Sequence, residues 1–262
     1  MRVLELNIHP VKSGRPFPVD TARVERWGLA GDRRWMLVDG DGRSVTAREE
    51  HRLLTVVATP VPDGVLIDGG PLLREPAGES VAVRHSRHEL RGVPAGPEAD
   101  AWFRRLLGRA DVRLVWCAEP AQRALNPAYS EPDDRTGFVD GYPVVLSTTG
   151  SLDRLNAWIV ADGGEPLPMV RFRPNVVVDS AEPFAEDDWK RIRIGAVEFR
   201  VAKLVDRCVM TTVDPETLAG GKEPIRTLAR HRRWDGTTWF GIQLIPDAVG
   251  TVHVGDQVEI LA

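Results

Sequence analysis

Apolar and polar positions alternate with a period of two along most of the chain, and helical spacing is confined to two stretches. Residues 2–9 put Leu4, Leu6 and Ile8 on one face, as a half-buried strand does, and Pro10 ends it. Trp35 to Val38 and Ser44 to Ala47 flank Asp39-Gly40-Asp41-Gly42, a strong hairpin signal. A second turn is signalled at Pro62-Asp63-Gly64, and alternation resumes through Val81 and Val83. Further on, Trp102, Phe103, Leu106 and Leu107 form a stripe at helical spacing, with Pro97 in the first turn and Gly108 as terminator. A strand to Leu146 then leads through Ser147, Thr148 and Thr149 into a second helix, with Ser151 expected at its N-cap and Leu152, Leu155 and Ile159 facing inward. Past a β-branched strand after Pro174, a hairpin is expected around Gly195 and another at Gly255-Asp256.

Short strands at this spacing predict a mainly β fold with a few helices (α+β), its first part a small barrel or sandwich. Gly92, Pro94, Gly96 and Pro97 mark a linker, so the expected division is a β-barrel-like domain over 1–92, a linker and helix over 93–118, and a second domain over 119–262. The 119–141 stretch is polar, rich in Pro and Asp, and long enough to carry function.

Composition narrows the function classes. A net charge of −4 gives no electrostatic footprint for nucleic acid. No apolar run has the length of a signal peptide or of a membrane span, so a cytoplasmic protein without membrane contact is expected. Two cysteines, Cys117 and Cys208, cannot form a disulfide framework or a four-cysteine cluster. The positive charge is almost all guanidinium, with lysine only at positions 12, 190, 203 and 222; guanidinium binds phosphate bidentately where it lines a pocket. There is no P-loop and no dinucleotide fingerprint. His85 and His88, three apart at a strand end, do not share a face and make a poor metal pair.

Chemistry concentrates at Lys203 to Thr217. Cys208 follows Arg207, whose charge favours the thiolate that binds soft metals. Thr211, Thr212, Asp214 and Pro215 come next. Elsewhere, Lys12-Ser13-Gly14 offers an ammonium, a hydroxyl and a backbone that a ligand can approach closely, and Arg171 and Arg173 precede a strand with Asn175 beside them. The hydroxyl-rich turn at 147–149 aims backbone N–H groups from a helix start, a candidate anion site.

VKSG at 11–14, GDRRW at 31–35, TAREEHRL at 46–53, YPVVLS at 142–147, RFRPNVVV at 171–178, RCVMTTVDPET at 207–217, and the terminal FGI and VGD resemble the MOSC family, named for the C-terminal domain of molybdenum cofactor sulfurase. The closest likeness is to its amidoxime-reducing branch. The pieces fall in family order over nearly the whole chain; RCVMTTVDP with FRPN is the specific part. The resemblance implies a β-barrel-like N-terminal domain packed on a β-barrel MOSC domain, together enclosing a molybdenum cofactor (a molybdopterin without an appended nucleotide). It implies Cys208 as the molybdenum ligand, cofactor contacts from Lys12, Ser13 and Arg33, and further contacts from Ser147, Arg173, Asn175 and Arg207. Asp214 is carried over with the signature as a catalytic candidate. The implied reaction is reduction of N-hydroxylated compounds such as amidoximes, hydroxylamines or N-hydroxylated bases. No cluster-binding cysteines are present, so electrons would come from a separate ferredoxin, cytochrome or flavoprotein, and Glu131, Asp133 and Asp134 are a candidate meeting point. The alternative is a sulfur carrier bearing a persulfide on Cys208 for metal–sulfur or cofactor assembly.

Overall fold

The computed structural model describes residues 1–262. It is mostly strand with three α-helices, as the alternation predicts. The largest sheet runs in the order Phe17–Val19, Val3–Ile8, Val176–Val178, Val144–Thr148, Thr237–Pro246, Val197–Asp206, Arg191–Ile194, Val258–Ile260, with Arg233–Trp234 paired beside Thr237–Pro246. Within it the strands Val144–Thr148 and Val176–Val178 are parallel, and the connection between them carries the helix Thr149–Ala161. A five-stranded sheet joins Val81–His85, His88–Pro94, Arg113–Trp116, Trp35–Val38 and Ser44–Val45. Two three-stranded sheets, one of Ala58–Val61, Gly64–Ile67 and Leu72–Arg74, the other of Gly250–His253, Thr21–Glu25 and Gly28–Leu29, and a two-stranded pair of Arg123–Ala124 with Arg135–Thr136 complete the fold.

Two cores sit under these sheets. One gathers Leu6, Val144, Leu146, Phe199 and Ile242; the other gathers Trp35, Leu53, Phe103, Leu107 and Leu114. The helix Pro97–Leu107 begins with Pro97, ends on Gly108 at φ +65°, and buries Phe103 and Leu107 in the second core. Strand pairing crosses position 92 in both directions. Val3–Ile8 bonds to Val176–Val178 in the large sheet, while His88–Pro94 and Arg113–Trp116 pair in the five-stranded one.

Three local expectations change. Leu4 is exposed whereas Val3, Leu6 and Ile8 are buried, because a register shift between Val3 and Glu5 breaks the period-two pattern. The N-cap of Thr149–Ala161 is Thr148, whose hydroxyl accepts from the Ser151 backbone N–H at 3.3 Å; Ser151 lies inside the first turn. The last two strands form no hairpin: Gly250–His253 pairs with Thr21–Glu25, and Val258–Ile260 with Arg191–Ile194.

Candidate active site

A cleft of about 370 Å³ is lined by segments spread from Lys12 to Gln243. Of the residues singled out from sequence, Lys12, Ser13, Arg33, Arg173, Asn175, Arg207 and Cys208 line it together. Both halves of the chain contribute, and side chains tie them across it. Arg33 Nη1 donates to Asn175 Oδ1 at 3.1 Å, and Lys12 Nζ donates to Asp140 Oδ1 at 2.9 Å.

Each wall is built locally. After the strand Val3–Ile8 the backbone folds back so that the Lys12 N–H reaches the Trp35 carbonyl at 2.7 Å, and Ser13 takes φ +69°. The Ser13 hydroxyl accepts from the Ala47 N–H at 3.1 Å, which fixes this turn on the neighbouring segment. Arg33 and Arg173 also sit at positive φ (47° and 51°), conformations a non-glycine residue holds only under surrounding constraint. Arg33 is anchored by its backbone N–H to His9 O at 2.7 Å and by its side chain to Asp32. Asn175 is fully buried; its amide donates to Asn7 O at 3.0 Å, and its oxygen accepts from the Val145 N–H at 3.1 Å as well as from Arg33.

The thiol stands at one end of this arrangement. Cys208 is partly exposed and opens a short 3₁₀ turn, Val209–Thr212, and its carbonyl accepts from the Thr211 N–H and hydroxyl at 3.1 and 3.0 Å. Arg207 reaches the other way: Nε donates to Phe240 O at 2.8 Å and Nη1 to Phe172 O at 2.9 Å, with the guanidinium 5.4 Å from the Phe172 ring centre. Its Nη2 is buried without a partner, and beside it the buried Ser147 hydroxyl is also without one. Ser147 itself lies just behind the cleft wall. Gly241, at φ +75°, brings the backbone within reach of both groups.

The cleft is strongly cationic. Lys12, Arg33, Arg48, Arg171, Arg173 and Arg207 line it against two carboxylates, Asp140 and Asp206. Burial, reinforced by repulsion from Arg33, lowers the Arg173 pKa to about 9, and burial alone outweighs Cys208 and Asp206 in lowering Arg207 to about 10. Arg173 makes no side-chain hydrogen bond to the protein. Cationic groups held this way, with free donors, fit a polyanionic ligand that compensates them. No group of three or more His, Cys, Asp or Glu side chains could hold a metal ion. A metal centred on Cys208 would therefore have to bring most of its ligands with it.

Asp214 is not in the cleft. Its carboxylate accepts from the Glu216 and Thr217 N–H groups at 2.9 and 2.8 Å and from Arg171 at 3.2 Å, bonds that hold its pKa down and cap the turn after the Cys208 segment. Nor is the hydroxyl turn at 147–149 open to an outside anion. The buried Glu186 carboxylate occupies that helix start, accepting from Ser151 Oγ at 2.7 Å and Thr148 Oγ1 at 3.1 Å. The 119–141 acidic residues are partly engaged: Asp134 takes a bidentate pair from Arg200 at 2.8 and 3.0 Å, and Glu131 lies 3.4 Å from the same guanidinium.

Among the lining residues, Arg48 and Asp140 were not singled out from sequence, and His85 was weighed only as half of a poor metal pair. Arg48 lines the cleft with Cys208, and the negative groups around it, Asp140, Cys208 and Asp206, raise its pKa despite burial. Asp140 ends the long polar stretch, and that position was its signal. His85 shares the inward phase of Val83, and a histidine on the apolar side of a strand was the available clue.

The chain matches the family model "MOSC N-terminal beta barrel domain" over residues 1–110 and the model "MOSC domain" over 133–259. It is 35% identical to mitochondrial amidoxime-reducing component 1 of Danio rerio, over 98% of this chain and 83% of that one. It is 30% identical to component 1 of Homo sapiens (99% and 82%) and 31% identical to mitochondrial amidoxime reducing component 2 of Homo sapiens (98% and 82%). These relatives are named as mitochondrial components, which overturns the cytoplasmic expectation, and no helix is long and apolar enough to cross a membrane. Taken with the joint cleft and its single reachable thiol, the matches show that the chain belongs to the MOSC family, in the form that carries the N-terminal β-barrel domain.

Proposed function

We propose that the protein is a molybdenum-cofactor-dependent oxidoreductase that reduces small N-hydroxylated compounds with electrons from a separate electron-transfer protein. Membership of the MOSC family and likeness to proteins named amidoxime-reducing components support the reaction class. The observation that carries the reading is the cleft itself, with six cationic side chains and one accessible thiol facing the same space.

In this reading Cys208 is the protein's ligand to molybdenum, a soft thiolate for a soft centre. Lys12, Ser13 and Arg33 hold the organic part and its phosphate from the first half; Ser147, Arg173, Asn175 and Arg207 hold it from the second. The unpartnered Arg207 Nη2 is then satisfied by ligand, with the buried Ser147 hydroxyl beside that guanidinium behind the cleft wall. When bound, the cofactor supplies the two-electron couple that cleaves the N–O bond. Arg48 adds a cation to the wall that holds Cys208, and the rings Phe172 and Phe240, 4.0 Å apart, pack against the Arg207 guanidinium. The division into 1–92, 93–118 and 119–262 is kept as a proposal for domain organisation, with Val3–Ile8 contributed to the second domain's sheet. A persulfide carrier needs a reachable thiol and little else, so that alternative leaves the six cations unexplained.

The test uses protein made in a host that synthesises the cofactor. Wild type is expected to contain molybdenum and pterin in stoichiometric amount and to reduce an aromatic amidoxime with a chemical reductant. Cys208→Ala should lose molybdenum and fall to background, a loss of at least about 10³-fold given a metal site reduced by its one protein ligand. Full activity in that variant overturns the ligand assignment. Added sulfur on Cys208 by mass spectrometry, without metal, selects the sulfur carrier instead.

A further inference from the structure

One hydrogen-bonded string in the cleft is not needed to hold a cofactor. Ser44 Oγ lies 3.0 Å from His85 Nδ1, and His85 Nε2 lies 3.1 Å from Asp140 Oδ1. Its two ends differ in exposure. Ser44 is partly exposed on the strand Ser44–Val45, His85 is 3% exposed, and the Asp140 side chain is 62% exposed and lines the cleft. The charged groups around Asp140 are Lys12, His85, Arg48, Arg123 and Arg173; those around His85 are Lys12, Asp140 and Arg123.

We propose that Ser44, His85 and Asp140 form a proton relay into the cleft, with Asp140 the catalytic residue that delivers protons to the N-hydroxylated substrate and His85 the positioning residue that refills it. The proposal rests on the reductase reading. Reduction of an N–OH group breaks the N–O bond and consumes two electrons and two protons. One proton ends on nitrogen and one on the departing hydroxyl, which leaves as water. The electrons come from the separate electron-transfer protein; the protons must come from solvent through the chain.

The bonding sets the direction. Two N–H groups of Lys12 are engaged by Phe138 O at 2.8 Å and Asp140 at 2.9 Å, and the Lys12 charge together with His85 holds the Asp140 carboxyl well below its ordinary range. An ionised Asp140 only accepts, so His85 carries its hydrogen on Nε2 and accepts the Ser44 hydroxyl at Nδ1. Burial, then repulsion from Lys12, brings His85 down to about 4, so it rests neutral and can pass a proton without holding charge. His85 passes its Nε2 hydrogen to Asp140 only as its Nδ1 takes the Ser44 hydroxyl proton, which solvent replaces, so the ring stays neutral throughout. The protonated Asp140 is a strongly acidic carboxyl that discharges at the substrate oxygen, and tautomer exchange then returns the His85 hydrogen to Nε2.

The test compares wild type, Asp140→Asn, His85→Ala and His85→Gln as molybdenum-loaded protein, with rates normalised to molybdenum. An aromatic amidoxime is the substrate and reduced viologen the donor. Asp140→Asn is expected to lower kcat by roughly 10²–10³-fold at unchanged metal content. His85→Ala should lower it less, raise the solvent isotope effect on kcat, and recover with added imidazole, whereas His85→Gln should not recover. Independently, nitrogen NMR of cofactor-free protein should find His85 as the neutral Nε2–H tautomer, with a titration midpoint that falls further in Asp140→Asn. Wild-type rates and isotope effects in all three variants overturn the relay while leaving the reductase reading intact. An Nδ1–H tautomer overturns it as well. Molybdenum-loaded wild type that reduces no N-hydroxylated substrate overturns the reductase reading, and the relay with it.

Discussion

At the scale of single residues, the site depends on positions where a side chain is forbidden as much as on those that supply chemistry. Gly241 sits in the strand Thr237–Pro246 at φ +75°, and a Cβ there would come within 2.7 Å of both Leu146 O and Ser147 Oγ and 3.3 Å of Arg207 Nη2. The first of those contacts is with backbone, which cannot swing aside. Gly241→Ala therefore combines left-handed strain with a clash, and a loss of about 1–3 kcal/mol is expected in urea denaturation. Because the displaced groups include Ser147 and Arg207, molybdenum content should fall too; a stable, fully loaded variant would show that these two groups do not hold the ligand. The residues legible in sequence were those whose type announces a role, such as Cys208 and Arg173. Asp140 and Arg48 were not, and His85 was read only as half of a poor metal pair, because an Asp, a His or an Arg is common on any surface and becomes informative only when folding brings it to a site. Asp214 shows the reverse error: it stands in the most specific motif, yet its oxygens are taken by the turn it caps.

At the scale of elements, periodicity located strands well and their partners poorly, since a strand's neighbours depend on sequence far away. The helix Thr149–Ala161 illustrates what periodicity leaves out. Its start looked open to an anion, but the anion is internal: Glu186 arrives from 35 residues beyond Ser151. Ser151 Oγ donates to Glu186 and accepts from the Phe184 N–H at 2.7 Å. Ser151→Ala removes both partners and should cost about 2–3 kcal/mol, the penalty for buried groups left unsatisfied. Burial raises the Glu186 pKa, so its contribution to stability is complete below the unfolded carboxylate pKa and declines as pH rises through the folded one. The missing donor matters most when Glu186 is ionised. The cost should therefore be larger at about pH 7 than at about pH 5. An equal cost at both would place the whole effect on the Phe184 N–H.

At the scale of the molecule, segments from both halves of the chain meet at one cleft. Six cations face one cleft, and the internal carboxylates Asp140 and Asp206 answer only part of that charge. Their mutual repulsion acts in the folded state, where the halves are held together, and vanishes on unfolding. Any anion that bridges them is therefore linked to folding. A ligand present at a thousand times its Kd stabilises by about 4 kcal/mol, which for a chain of this length is on the order of ten degrees in Tm. Loaded protein should melt higher than cofactor-free protein by such an amount. The linkage can also be divided. Inorganic phosphate engages guanidinium and ammonium groups but not the thiol, so it should raise the Tm of cofactor-free wild type and of Cys208→Ala alike. Replacing Arg173 by Met should abolish most of that rise while leaving an apolar stem of similar length in place. If phosphate instead stabilises Arg173→Met as well as wild type, the anion is bound elsewhere on an arginine-rich surface, and the cleft cations must be balanced by the protein's own carboxylates.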